Sequence, residues 1–211
     1  MSREERIETV LNYFRKTMPT TASELHYAST FQLLIAVALS AQCTDRRVNM
    51  VTPELFKRYP TAEALAKANL NDVRRLVASV SYPNVKASHI VGMARVIVDN
   101  YGGKVPDSRE ALMRLPGVGR KTANVVLSIA YGKPVMAVDT HVYRVSHRLA
   151  LVDPSDNSPQ KVEAALVSII PQADIPNAHH WLLLHGRYMC RARNPFCAQC
   201  PFSSFCPSRT T

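Results

Sequence analysis

Leu115-Pro116-Gly117-Val118-Gly119-Arg120-Lys121-Thr122-Ala123 separates two helical patterns, and its chemistry decides how the chain is read. Pro116 stops one helix, and two glycines, Gly117 and Gly119, allow a tight hairpin with unusual backbone angles. The helix that follows opens with amide groups that have no partner inside it. Those donors and the positive end of the helix dipole suit a phosphate. Arg120 and Lys121 add two charges there. Lys121 has three readings: solvated surface charge, phosphate contact or nucleophile. An amine near a helix N-terminus and partly buried prefers to be neutral, and a neutral amine is nucleophilic.

Outward from this turn, helical periodicity continues in both directions. Ile7, Val10, Leu11 and Phe14 form one buried stripe, and Thr30 can cap an apolar helix running from Phe31 to about Ala41. Val48, Val51, Leu55 and Phe56 supply another face, in which Pro53 suits a first turn or a kink. A longer helix carries Val85, Ile90, Ala94 and Ile97 and ends at Gly102-Gly103, and Asp107 with Glu110 reads as a capping box before Leu112. Beyond Lys121, Val142, Val145 and Leu149 follow Asp139, Ser158-Pro159 opens a helix, and Trp181 to Tyr188 fits a last one. Alternating β-branched runs are few, so the expected class is all-α. Residues 22–132 are expected to form a central domain, and 1–21 with 133–211 a second. Asp139 reads as an N-cap, or as a carboxylate acting with Lys121, and one residue can serve as both.

The chain has 211 residues, of which 46% are hydrophobic, with a formal charge of +10 and a pI near 9.6. That charge directs attention to polyanions, nucleic acid before anionic membrane. The longest apolar run, Phe31 to Leu39, is too short to span a bilayer, and Ser2-Arg3-Glu4-Glu5-Arg6 does not resemble a signal peptide, so a cytoplasmic protein is expected. Of 5 cysteines, Cys190, Cys197, Cys200 and Cys206 crowd the end, which argues for a metal site over disulfides. Four thiolates suit structural zinc or an iron–sulfur cluster, and spacing alone leaves both open. Arg191 and Arg193 between the first two would form a basic prong or a solvated loop. Cys43 reads as a small buried residue.

Four stretches together resemble the endonuclease III family: Leu39-Ser40-Ala41-Gln42-Cys43-Thr44-Asp45, the hairpin segment extended to Val126, Val138-Asp139-Thr140-His141-Val142, and the C-x6-C-x2-C-x5-C tail. His179-His180-Trp181 through His185-Gly186-Arg187-Tyr188 is similar too, and the likeness runs from about Ile7 to Cys206. It implies the helix-hairpin-helix glycosylase fold, two helical domains with a cleft between them. It implies a DNA glycosylase and abasic-site lyase that removes oxidised pyrimidines from double-stranded DNA, acting as a monomer. Lys121 falls at the family's nucleophile and Asp139 at its essential carboxylate. The four cysteines become ligands of a 4Fe-4S cluster, and Gln42 matches a glutamine that fills the gap left by an extruded nucleotide. Gly117, Gly119, Arg120, Arg191 and Arg193 are expected on phosphates.

One stretch departs from the pattern. Where the family usually reads Gly-Leu-Tyr/Phe-Asn-x-Lys-Ala, this chain has Ser81-Tyr82-Pro83-Asn84-Val85-Lys86-Ala87. Tyr82 would replace a leucine wedge by stacking on the orphaned base, or would anchor the loop as a buried ring. Related glycosylases of other lesion range (pyrimidine dimers, mismatched thymine or adenine) and a non-catalytic metal-containing DNA-binding module are the alternatives. Lys121 counts against the adenine-specific type.

Overall fold

The computed structural model describes residues 1–20 and 23–210. Among them are eleven α-helices, one 3-10 turn at Cys197–Gln199 and no strand, the expected all-α class. The helices are α1 (Arg3–Thr17), α2 (Thr30–Ser40), α3 (Asp45–Arg58), α4 (Ala62–Ala66), α5 (Leu70–Leu76), α6 (Pro83–Tyr101), α7 (Arg109–Met113), α8 (Arg120–Tyr131), α9 (Thr140–Arg148), α10 (Pro159–Ile169) and α11 (Ile175–Tyr188). No helix among the described residues is long and apolar enough to cross a membrane. The chain divides into two compact units, one of Met1–Ala22 with Gly132–Thr211 and the other of Ser23–Tyr131. The boundary expected at residues 21 and 22 lies outside the described residues.

The Ser23–Tyr131 unit is built around α2. Every side chain from Leu33 to Leu39 is buried, because α3, α6 and α8 all pack on this helix. A helix apolar all round is stable only when covered in this way. The α6 helix crosses behind it and also carries α4 and α5. Its ends follow local chemistry: Pro83 sits in the first turn, and left-handed Gly102 closes it as Gly103 N donates to Ile97 O at 3.1 Å.

Two local expectations are corrected here, both of them helix caps. Ser29, not Thr30, caps α2, its hydroxyl accepting from Gln32 N at 3.2 Å. Ser108, not Asp107, caps α7, accepting from Ala111 N at 3.2 Å. In both cases two adjacent residues can cap, and the one directly before the first helical residue does so. Pro53 sits well inside α3. Its ring is exposed, while Val48, Val51 and Leu55 bury the opposite stripe, so packing offsets the missing ladder hydrogen bond.

The other unit gathers α1, α9, α10 and α11 around an aromatic centre. Ile7, Val10, Leu11 and Phe14 of α1 meet Val142, Val145, Val162, Leu166, Trp181 and Phe202. Phe14 stacks on Trp181 with centroids 5.7 Å apart, and Trp181 Nε1 donates to Met18 O at 2.8 Å, so the buried indole keeps a partner. Arg15 holds Asp174 through Nη2 at 2.6 Å, joining the end of α1 to the start of α11. That carboxylate raises the Arg15 guanidinium above its ordinary range.

Phe14→Ala is therefore expected to cost about 3–5 kcal/mol of stability, the range for emptying a packed aromatic site. Met50→Ala, at an exposed position, serves as the control and is expected to leave stability unchanged. Urea midpoints at constant slope measure both.

Candidate functional site

Between α7 and α8 the chain reverses in a short hairpin seated on α6. Leu115 and Val118 are buried, and Val118 N donates to Leu115 O at 3.1 Å to close the turn. Arg109 Nε reaches Asn124 Oδ1 at 2.9 Å, tying the two helices together. Pro116 lies over Gly92 of α6, where an added Cβ would meet its ring at 3.4 Å. Gly117 has φ of 75°, and a Cβ there would lie 2.6 Å from His89 Nδ1. Two independent constraints, backbone angle and proximity, therefore require glycine at 117.

Gly119 corrects the expectation of two unusual glycines. Its φ is not positive, and an added Cβ would meet nothing within 4 Å. The start of α8 thus presents a bare backbone to its surroundings, with first-turn amides that an α-helix never pairs internally. Arg120 is half-buried, whereas Lys121 is exposed and not partly buried as expected. The α8 stripe that packs inward runs through Ala123, Val126 and Leu127, so position 121 faces outward. Removal of water from its amine is left to whatever binds there.

Two further loops of this unit meet. Gln42 follows α2 with φ of 52°, and Tyr82 precedes α6 with φ of 55°. Both side chains are exposed, Tyr82 at 63%, so the reading of Tyr82 as a buried anchor is corrected. Ser81 Oγ donates to Gln42 O at 2.7 Å. Lys86, only 7% exposed, donates through Nζ to Leu39 O at 2.8 Å and Ala41 O at 2.6 Å. Burial pulls this ammonium below its ordinary value, against a smaller opposing pull from Cys43, which is half-buried and not buried as expected. The motif around Lys86 was read, but its role as a cap on the end of α2 was not. Its partners lie 45 and 47 residues away, beyond the reach of any local pattern.

In the other unit, Asp139 caps α9. Its Oδ1 accepts from both His141 N and Val142 N at 2.8 Å, which fixes the orientation of the half-buried carboxylate. From the same helix, Arg144 and Arg148 stand one turn apart. Arg144 donates to Gly186 O at 2.8 Å and Cys190 O at 3.1 Å, and Arg148 to Arg191 O at 2.6 Å and Ala192 O at 3.1 Å. These two arginines, missed in the sequence, hold the start of the cysteine loop.

Cys190, Cys197, Cys200 and Cys206 line one pocket, together with Arg148, His185 and Phe196. All four are free thiols. Among the described residues no three His, Cys, Asp or Glu side chains converge closely enough to hold a metal ion. Burial pushes the Cys200 and Cys206 thiols up. A hydrogen bond from Thr210 draws Cys197 the other way. His185 sits with Nε2 3.8 Å from Cys200 Sγ, and burial lowers it to about 4. Arg191 and Arg193 are exposed, and the Arg191 guanidinium lies 4.1 Å from the centroid of the Phe196 ring. The four-thiol donor set fits an iron–sulfur cluster.

A family model described as HhH-GPD superfamily base excision DNA repair protein matches residues 35–172. Proteins named endonuclease III are similar over nearly the whole chain. That of Rickettsia felis is 44% identical over 95% of this chain and 93% of its own length. That of Escherichia coli K12 is 42% identical over 98% and 96%. A trapped endonuclease III–DNA covalent intermediate, an estranged-adenine complex, superposes with a TM-score of 0.92 at 42% identity, covering 99% of this chain and 97% of that one. A thermostable thymine-DNA glycosylase shares the fold, with a TM-score of 0.84 at 24% identity and coverage of 98% and 96%.

Gly117→Ala is expected to destabilise the chain by about 1–2 kcal/mol from the left-handed backbone alone, with the His89 clash added. His89→Ala in that background should recover only the clash. Complete recovery in thermal melts would contradict the backbone argument.

Proposed function

Because this chain belongs to the endonuclease III family of the HhH-GPD superfamily of base excision DNA repair proteins, we propose that it is a bifunctional DNA glycosylase and abasic-site lyase acting on oxidised pyrimidines. Its substrate is double-stranded DNA carrying a damaged base or an abasic site, and it works as a cytoplasmic monomer. The observation that carries this reading is the hairpin: a bare, glycine-lined helix start with an exposed lysine one residue into the helix.

The damaged nucleotide is extruded from the duplex, which makes its sugar carbon accessible. The uncharged Lys121 amine attacks C1′. The Nζ–C1′ bond forms as the glycosidic bond breaks, and the base leaves with that electron pair and takes up a proton. Asp139 stabilises the positive charge developing on the sugar, and the attacking nitrogen gives up a proton as the new bond forms. The sugar ring then opens to an imine between Lys121 and C1′. Loss of a proton from C2′ expels the 3′ phosphate by β-elimination, and water releases the enzyme.

The remaining assignments concern binding. The amides at Gly117 and Gly119, with Arg120, hold phosphates around the lesion, and Arg191 and Arg193 do the same from the cysteine loop. Gln42 occupies the gap left by the nucleotide, and Tyr82 stacks on the unpaired base. Cys190, Cys197, Cys200 and Cys206 would hold a 4Fe-4S cluster, which supplies structure and charge to the loop and takes no part in bond cleavage.

Lys121→Gln is expected to lose strand cleavage at an abasic site by at least about a thousandfold, the scale for removing a covalent nucleophile. Its affinity for the same duplex should change far less. Near-normal cleavage by this variant would exclude the lysine. Broad visible absorption, lost in Cys197→Ser, would report the cluster; a colourless protein binding zinc would contradict it.

A further inference from the structure

The loops bearing Gln42 and Tyr82 are joined in a way that neither role requires by itself. Both residues adopt left-handed backbone without being glycine, φ 52° and 55°, and L side chains hold that conformation only when their surroundings fix it. The fixing contacts come from one short segment. Ser81 Oγ donates to Gln42 O at 2.7 Å, and Lys86 Nζ donates to Leu39 O and Ala41 O at 2.8 and 2.6 Å. Three carbonyls at the end of α2 are thus held by donors that bracket Tyr82 in sequence. Tyr82, meanwhile, exposes 63% of its surface. The structure invests in the backbone of these two residues and leaves both side chains projecting outward.

We propose that Ser81 is a positioning residue, whose hydroxyl locks Gln42 and Tyr82 into one two-pronged element formed before DNA arrives. The ligand of this element is the disrupted base step of a duplex: the space vacated by one nucleotide and the face of its unpaired partner. Rigidity in advance reduces the entropy lost on binding. A glycine at 81, usual in the resembled family, has no hydroxyl to make this link. The inference rests on the reading of Gln42 and Tyr82 as DNA-contacting residues, and the test separates the two.

The probe is a fluorescein-labelled duplex containing a tetrahydrofuran abasic analogue, with dissociation constants measured by anisotropy for the full chain. Ser81→Ala is expected to weaken binding about fivefold, the scale of one lost hydrogen bond. Ser81→Thr retains the hydroxyl and should stay within about twofold of the parent. In a Gln42→Ala/Tyr82→Ala background, Ser81→Ala should have no further effect on binding, while its effect on melting temperature is the same in both backgrounds. An equal loss of affinity in both backgrounds would make the serine merely structural and overturn the proposal. So would parental affinity of Ser81→Ala while Gln42→Ala and Tyr82→Ala each weaken binding. If neither of those two variants weakens binding, the underlying reading fails instead, and the lock with it.

Discussion

A chain reversal of a few residues has to sit flat on α6, and the backbone achieves this only through left-handed Gly117 beside His89. Much of the Ser23–Tyr131 unit serves that geometry. Leu115 and Val118 anchor the turn in apolar surroundings, Pro116 rests on Gly92, and Arg109 joins the helices on either side through Asn124. Because α8 is then covered along Ala123, Val126 and Leu127, Lys121 is turned outward at its start. The proposed nucleophile is thus turned outward by a packing constraint rather than by its own burial.

The second unit works by a comparable economy. The α9 helix begins at a carboxylate whose Oδ1 is committed to two backbone amides, and it continues into two arginines that grip the Cys190, Arg191 and Ala192 carbonyls of the cysteine loop. One helix therefore orients Asp139 and organises the approach to Cys190. Burial of Arg144 lowers it from its ordinary value, partly offset by Cys190, the mark of a cation held inside for its hydrogen bonds.

Helix existence was legible because apolar stripes such as Ile7, Val10, Leu11 and Phe14 need only local spacing to be seen. Helix starts were less so. Ser29-Thr30 and Asp107-Ser108 each offer two capping side chains, and the position at which the helix begins chooses between them. The site divides in the same way. Gly117, the cysteines and Asp139 carry signals in residue type and spacing. Lys86, Arg144 and Arg148 act on carbonyls more than forty residues away, and no periodicity encodes such a partner. The exposure of Lys121 was missed because position in a helix does not reveal which face is covered.

The account stands on a covalent bond between Lys121 and deoxyribose. Borohydride reduction of the protein with an abasic-site duplex, followed by protease and nuclease digestion and tandem mass spectrometry, locates that bond directly. The account predicts one modified peptide, with the sugar remnant on Nζ of Lys121. A remnant on any other amine, or cleaved DNA with no reducible adduct, would contradict it.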